Sequence, residues 1–156
     1  MTDQKPPRLA ADESATLLAL LQYQRDSVVR KVSGVDNEQS NASPVGSGTS
    51  LLWLVNHVAD AEATWVLQRF GGQSVEVGDS AHASSLEAAV ERYRQVQRDV
   101  DAVMRDASSL DQACAKFDDQ PNVNLRWILA HLLEETARHA GHADILRELI
   151  DGATGR

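Results

Sequence analysis

The chain has 156 residues, of which 24% are charged, and a formal net charge of −8. Because nucleic acids and anionic membranes attract basic surfaces, this acidic chain is not expected to bind either one. It contains no apolar run long enough to span a bilayer, and its polar N-terminus does not resemble a signal peptide. The single cysteine, Cys114, excludes an internal disulfide, so we expect one cytoplasmic domain over residues 1–156.

The first half of the chain contains two long segments with helical periodicity. In the first segment, Leu17 and Leu21 begin an apolar side that repeats at helical spacing. Residues 35–48 are rich in Ser, Asn, Pro and Gly, which predicts a loop. Thr49 or Ser50 can then cap a second helix.

The second half repeats this organisation. Ser84 and Glu87 have the spacing of a capping box, and they are expected to open a third helix. Asn122 or Asn124 can cap a fourth helix. The apolar seam of the third helix, with one polar interruption, consists of Leu86, Val90, Tyr93, Gln97, Val100 and Met104.

These segments predict an all-α protein. Four helices of 20 residues or more are typical of a four-helix bundle, and no segment shows the period-2 alternation of a half-buried strand. The helices are expected over residues 12–33, 49–70, 85–107 and 122–150.

The predicted fourth helix carries ionisable residues on its apolar side. At 100° per residue, Glu135, His139 and His142 fall among the apolar positions of this helix. An unpartnered carboxylate is costly to bury, so a cation, a hydrogen-bond network or water must compensate there. The apolar stripe that encloses these residues consists of Ile128, Leu132, Leu146 and Leu149.

The second helix places one histidine on its own apolar face. His57 lies between Trp53 and Trp65 in helical projection, and Ala61 one turn later leaves space beside it. A Glu-x-x-x-His pair and a histidine from another helix form a ligand set that suits a divalent first-row metal with open coordination positions. The alternative is that each buried histidine is simply hydrogen-bonded.

Two further histidines lie on the same face of the fourth helix, and their roles stay open. His131, one turn before Glu135, is a candidate metal ligand, a partner that orients a ligand, or a wall of the pocket. His142 is a candidate hydrogen-bond donor to a ligand, a substrate contact or a metal contact. No role is expected for His82, which lies in a polar loop.

Three segments resemble the DinB/YfiT-like superfamily, in particular its mini-DinB branch. They are QYQRDSVVRKVSGV at 22–35, SGTSLLWLVNHVADAEATWV at 47–66 and NLRWILAHLLEETARHAGHADILRELIDG at 124–152. Proteins of this superfamily are four-helix bundles with a metal site made by one histidine of the second helix and an His-x-x-x-His pair of the last helix. Here Glu135 replaces the first histidine of that pair, as in the similar mycothiol-dependent maleylpyruvate isomerases.

The resemblance implies a divalent metal, Zn²⁺ or Ni²⁺, held by His57, Glu135 and His139. It also implies that a low-molecular-weight thiol such as mycothiol or bacillithiol and an electrophilic substrate are the partners, in a homodimeric S-transferase or detoxification enzyme. The alternative is a non-enzymatic, stress-related scaffold whose interior holds a metal or a polar network. A weaker third hypothesis is redox sensing through Cys114.

Overall fold

The structure, a computed structural model, describes residues 4–115 and 122–154. Its helices are α1 (Glu13–Val32), α2 (Asn37–Asn41), α3 (Leu51–Glu62), α4 (Leu86–Asp106) and α5 (Leu125–Asp151), and a π-helical segment, Ala63–Phe70, continues α3. The all-α prediction is confirmed, because the described residues contain no strand and only one isolated bridge, between Ala113 and Asn124. No described helix meets the length and apolarity that a bilayer crossing requires.

Polar side chains fix where the long helices begin. Asp12, Ser50 and Asn124 each accept a hydrogen bond from the backbone N–H three residues ahead, at the starts of α1, α3 and α5. The predicted capping box of Ser84 and Glu87 is wrong, since Ser85 caps α4 instead. The two serines are adjacent, and which of them caps the helix depends on the backbone geometry of the first turn, which the sequence does not show.

Two local features differ from the sequence prediction. Part of the loop predicted over 35–48 forms the short helix α2, which a capping box of Asp36 and Gln39 begins. This helix is five residues long and polar, so it has no apolar periodicity to detect. The second predicted helix is also not uniform, because it widens into the π-helical segment after Glu62.

The helices pack around two apolar clusters. The packed pairs include α1 with α5 and α3 with α4, while α3 also faces α5. One cluster includes Val28, Leu54 and Tyr93, and the other includes Leu21 and Ile128. Cys114 is buried in the second cluster.

The predicted apolar stripe of α5 is correct for three of its four members. Ile128, Leu132 and Leu146 are buried, but Leu149 is 57% exposed. Leu149 lies at the edge of the stripe in helical projection and within one turn of the end of α5, where it lines an open cavity beside α2 rather than the core.

A buried ion pair joins α1 to α3. The guanidinium of Arg25 donates to both carboxylate oxygens of Glu62, at 2.9 and 2.5 Å, and both side chains are at most 2% exposed. The hydroxyl of Tyr93 also donates to Glu62, at 3.1 Å, and Asp101 accepts a hydrogen bond from Arg25. This network is not evident from the sequence, because charged residues on a helix usually face solvent.

Candidate metal centre

Three ionisable side chains converge in the groove between α3 and α5. His57 lies in the second turn of α3, and Glu135 and His139 lie one turn apart on α5. The Nε2 atoms of His57 and His139 are 3.0 and 3.1 Å from the same carboxylate oxygen, Oε1 of Glu135. The structure therefore brings together the three residues that the sequence analysis predicted as metal ligands.

The chemistry and spacing of these donors fit a divalent cation. One donor atom from each residue lies within 4.8 Å of the other two. Tetrahedral Zn²⁺ with bonds of about 2.0–2.1 Å separates its ligand atoms by about 3.4 Å, which is slightly longer than the 3.0 and 3.1 Å from Oε1 of Glu135 to the two imidazoles and lies within the 4.8 Å that spans the three donors. Three protein donors leave a further coordination position open, as in catalytic rather than structural zinc sites.

Electrostatics favour the metal-binding protonation states of Glu135 and His139. Burial raises the pKa of the Glu135 carboxyl, but hydrogen bonds and positive charge from His57 and His139 outweigh it, so the pKa is lowered. Burial and the neighbouring His57 lower the pKa of His139, although Glu135 opposes the shift. Near neutral pH the centre thus presents a carboxylate and an unprotonated His139 imidazole.

Two side chains hold the histidines of this centre in place. The indole of Trp53 stacks on the imidazole of His57, with ring centroids 4.7 Å apart and planes 9° apart. The Nδ1 atom of His142 lies 3.3 Å from Nδ1 of His139. Since Nε2 of His139 faces Glu135, a contact at Nδ1 orients this ring without blocking the metal-binding nitrogen.

A group of rings occupies the same groove toward the start of α5. His131 stacks on Trp127 at 4.9 Å, and both rings lie 5.0 Å from Trp65. His131 is not part of the three-donor group, and Ala61 lies partly buried against the apolar cluster next to this groove. Trp127 was missed by the sequence analysis, although its spacing of four residues from His131 places it on the same face of α5.

The fifth histidine has a role in the fold. His82, for which no role was expected, lies 2.7 Å from Oδ2 of Asp60, and the same carboxylate accepts hydrogen bonds from Gly78 and Arg92. These contacts attach the loop between the π-helical segment and α4 to the side of α3. Periodicity could not indicate this contact, because His82 lies in a loop.

The fold and this donor set define an α-helical bundle with a candidate metal centre between two of its helices. The sequence profile of the mycothiol-S-transferase family matches residues 16–152, so the chain belongs to that family. This match confirms the resemblance to DinB-like proteins.

The structural comparison supports the same fold. The crystal structure of the conserved protein of locus from Enterococcus faecalis is similar, with a TM-score of 0.69 over 92% of this chain and 100% of that chain. At 13% sequence identity this likeness shows the fold alone. No curated protein matches the chain.

Proposed function

We propose that this protein is a metal-dependent S-transferase that joins a low-molecular-weight thiol of the mycothiol type to an electrophilic substrate. The chain is a member of the mycothiol-S-transferase family, and one donor atom each from His57, Glu135 and His139 lies within 4.8 Å of the other two. This donor group is the observation that carries the proposal. Zn²⁺ and Ni²⁺ are the ions we expect, because both accept imidazole and carboxylate ligands.

The metal would lower the pKa of the thiol. A thiol coordinated to a divalent cation loses its proton near neutral pH, which makes its sulfur nucleophilic. Transfer would join the thiol sulfur to the electrophilic carbon, the leaving group would depart with the bonding electron pair, and the thiol proton would pass to solvent.

The residues of the chain prepare the site for this chemistry. His57 and His139 supply imidazole nitrogen donors, and Glu135 supplies one negative charge that would reduce the net charge of a bound ion. Trp53 is 43% exposed and stacks on His57, so it fixes one ligand and covers one side of the centre with an apolar surface. The three donor residues would hold the metal, and Trp53 would limit the access of water from one side. Three protein donors would leave room at the metal for the thiol.

Metal analysis of untagged protein tests the proposal. We expect about one equivalent of metal per chain in the wild type and a loss of metal in His57→Ala and His139→Ala. His82→Ala is the matched control and should keep the metal, because His82 contacts Asp60 rather than the donor group. Wild-type protein that stays metal-free after expression in supplemented medium would contradict the proposal.

A thiol assay separates this enzyme from the scaffold alternative. Mycothiol and bacillithiol are each supplied with an electrophile, and consumption of thiol is followed for the wild type and His139→Ala. A folded His139→Ala protein that no longer consumes thiol supports the transferase. A variant that melts several degrees lower, from a wild type inactive with both thiols, supports the scaffold instead.

A further inference from the structure

A small cavity adjoins the candidate metal centre on the side away from the Trp65 and Trp127 rings. Its volume is about 230 Å³, and it lies between the loop before α3 and the last third of α5. Its lining contains no Asp, Glu, Lys or Arg and consists of Val45, Ser47, Thr49, His142, Ile145 and Leu146.

His142 connects this cavity to the metal centre. Its imidazole lines the cavity and also contacts His139, with Nδ1 atoms 3.3 Å apart and ring centroids 5.2 Å apart. Only the side chain of His142 would therefore lie between a molecule in the cavity and His139, a proposed metal ligand. The cavity and the metal centre are neighbouring parts of one groove.

The apolar lining includes a side chain that the fold leaves uncovered. Ile145 is 58% exposed at the mouth of the cavity, whereas Leu146 beside it is 2% exposed. An apolar wall beside a set of convergent polar groups is typical of a small-molecule site. Ligand binding would remove part of the Ile145 surface from water, which favours an apolar ligand.

The volume and the lining restrict the ligand. An apolar cavity of about 150 Å³ holds a benzene molecule, so this cavity accommodates one ring with a short substituent. A carboxylate or an ammonium would lose hydration there, because the lining contains no Asp, Glu, Lys or Arg side chain to pair with it. By contrast, a larger cavity of about 560 Å³ elsewhere in the fold is lined by charged residues, including Asp36, Glu87 and Arg94.

From these observations we propose that the cavity binds the apolar body of the electrophile, and that it selects uncharged electrophiles with a single ring or a short alkyl group. The assignment of its ligand as the electrophile rests on the proposed S-transferase function. The reacting carbon, bound to a halide or similar leaving group, would extend past His142 toward His139 and the other two donor residues. Carbon–sulfur bond formation releases the leaving group with its electron pair.

A binding experiment that needs neither metal nor thiol tests the site. Benzyl alcohol, an uncharged and unreactive probe, is titrated into methyl-labelled protein and followed by NMR, and benzoate serves as the charged probe of similar size. We expect benzyl alcohol to shift the methyl signals of Val45, Ile145 and Leu146, and benzoate at the same concentration to leave them unchanged. Equal shifts with both probes, or shifts with neither, would overturn the proposal.

Two substitutions on the same helix provide a matched comparison. Ile145→Trp fills the mouth of the cavity, while Leu149→Trp adds the same ring at a position with nearly equal exposure, 58% against 57%, outside the cavity. We expect Ile145→Trp to weaken benzyl alcohol binding about tenfold or more and Leu149→Trp to leave it unchanged. Val45→Phe narrows the cavity from the opposite wall and should repeat the effect.

The outcomes distinguish this inference from the proposed function. If benzyl alcohol binds but the protein holds no metal and transfers no thiol, the proposed function fails and the binding site with its ligand class stands. If thiol transfer proceeds and Ile145→Trp changes neither binding nor the KM for benzyl halides, the inference fails alone. If Ile145→Trp instead dissociates a dimer and no probe binds, the surface is a subunit interface and the inference is overturned.

Discussion

One carboxylate, Glu135, determines the electrostatics of the candidate metal centre. Its Oε1 atom is the common acceptor for His57 and His139, and their contributions lower its pKa despite burial. A lowered pKa in the folded state means that the ionised carboxylate stabilises the fold. This contribution is complete above the unfolded pKa of about 4.5 and is lost as the pH falls through the lower, folded pKa.

Glu135→Gln tests this linkage in metal-free protein. We expect the variant to have a smaller free energy of unfolding than the wild type at pH 7, because the neutral amide interacts more weakly with both imidazoles. The difference should shrink as the pH falls below 4.5 and the wild-type carboxyl becomes protonated. Urea denaturation across this pH range measures it, and a difference that grows toward low pH would contradict the assignment.

The buried Arg25–Glu62 pair predicts a larger effect on stability. Glu62→Gln removes the more buried of the two carboxylates that pair with Arg25, since Glu62 and Arg25 are at most 2% exposed, so we expect a loss of about 3 kcal/mol in the free energy of unfolding. The control is Glu134→Gln, which alters an exposed pair with Arg138 and should cost less than about 1 kcal/mol. Chemical denaturation measures both, and equal losses would refute the distinction.

At the scale of helices, sequence patterns predicted the elements that have strong apolar periodicity. The expected start of the first helix at residue 12 agrees with α1 to one residue, and of the two caps expected for the last helix Asn124 is correct and Asn122 is not. The convergence of the three donor residues followed from spacing, because a helix of known period places residues on known faces. The short helix α2 and the π-helical segment did not follow, since the first is polar and the second depends on local hydrogen bonding. The Arg25–Glu62 pair depends on how α1 packs against α3, which no single-helix pattern contains.

Asp60 is expected to fix the loop that precedes α4. Its carboxylate accepts hydrogen bonds from the Gly78 N–H at 3.0 Å and from Arg92, and it contacts His82. Asp60→Ala should therefore speed hydrogen exchange at the Gly78 amide by about tenfold or more while leaving amides of α5 protected. In Asp79→Ala, which removes a fully exposed carboxylate, exchange should stay at the wild-type rate. Unchanged exchange in Asp60→Ala would show that other contacts hold the loop.

At the scale of the molecule, the groove between α3 and α5 contains most of the features that relate to function. It holds the three donors, the rings of Trp65, Trp127 and His131, and the cavity beside His142. The sequence predicted the donors because they interrupt an apolar stripe. It could not predict the cavity, because its walls come from a loop and a helix that are about 100 residues apart. The homodimer stays a prediction, which sedimentation of the purified chain can measure.

Calorimetric titration of mycothiol into metal-loaded and metal-stripped protein tests the central claim most directly. If His57, Glu135 and His139 hold a metal that activates the thiol, mycothiol should bind the loaded protein at least about tenfold more tightly than the stripped protein. S-methyl mycothiol, which has no ionisable thiol, should lose that advantage, and His139→Ala should behave like stripped protein. Equal affinity for mycothiol with and without metal, in wild-type protein whose metal content is known, would contradict the account.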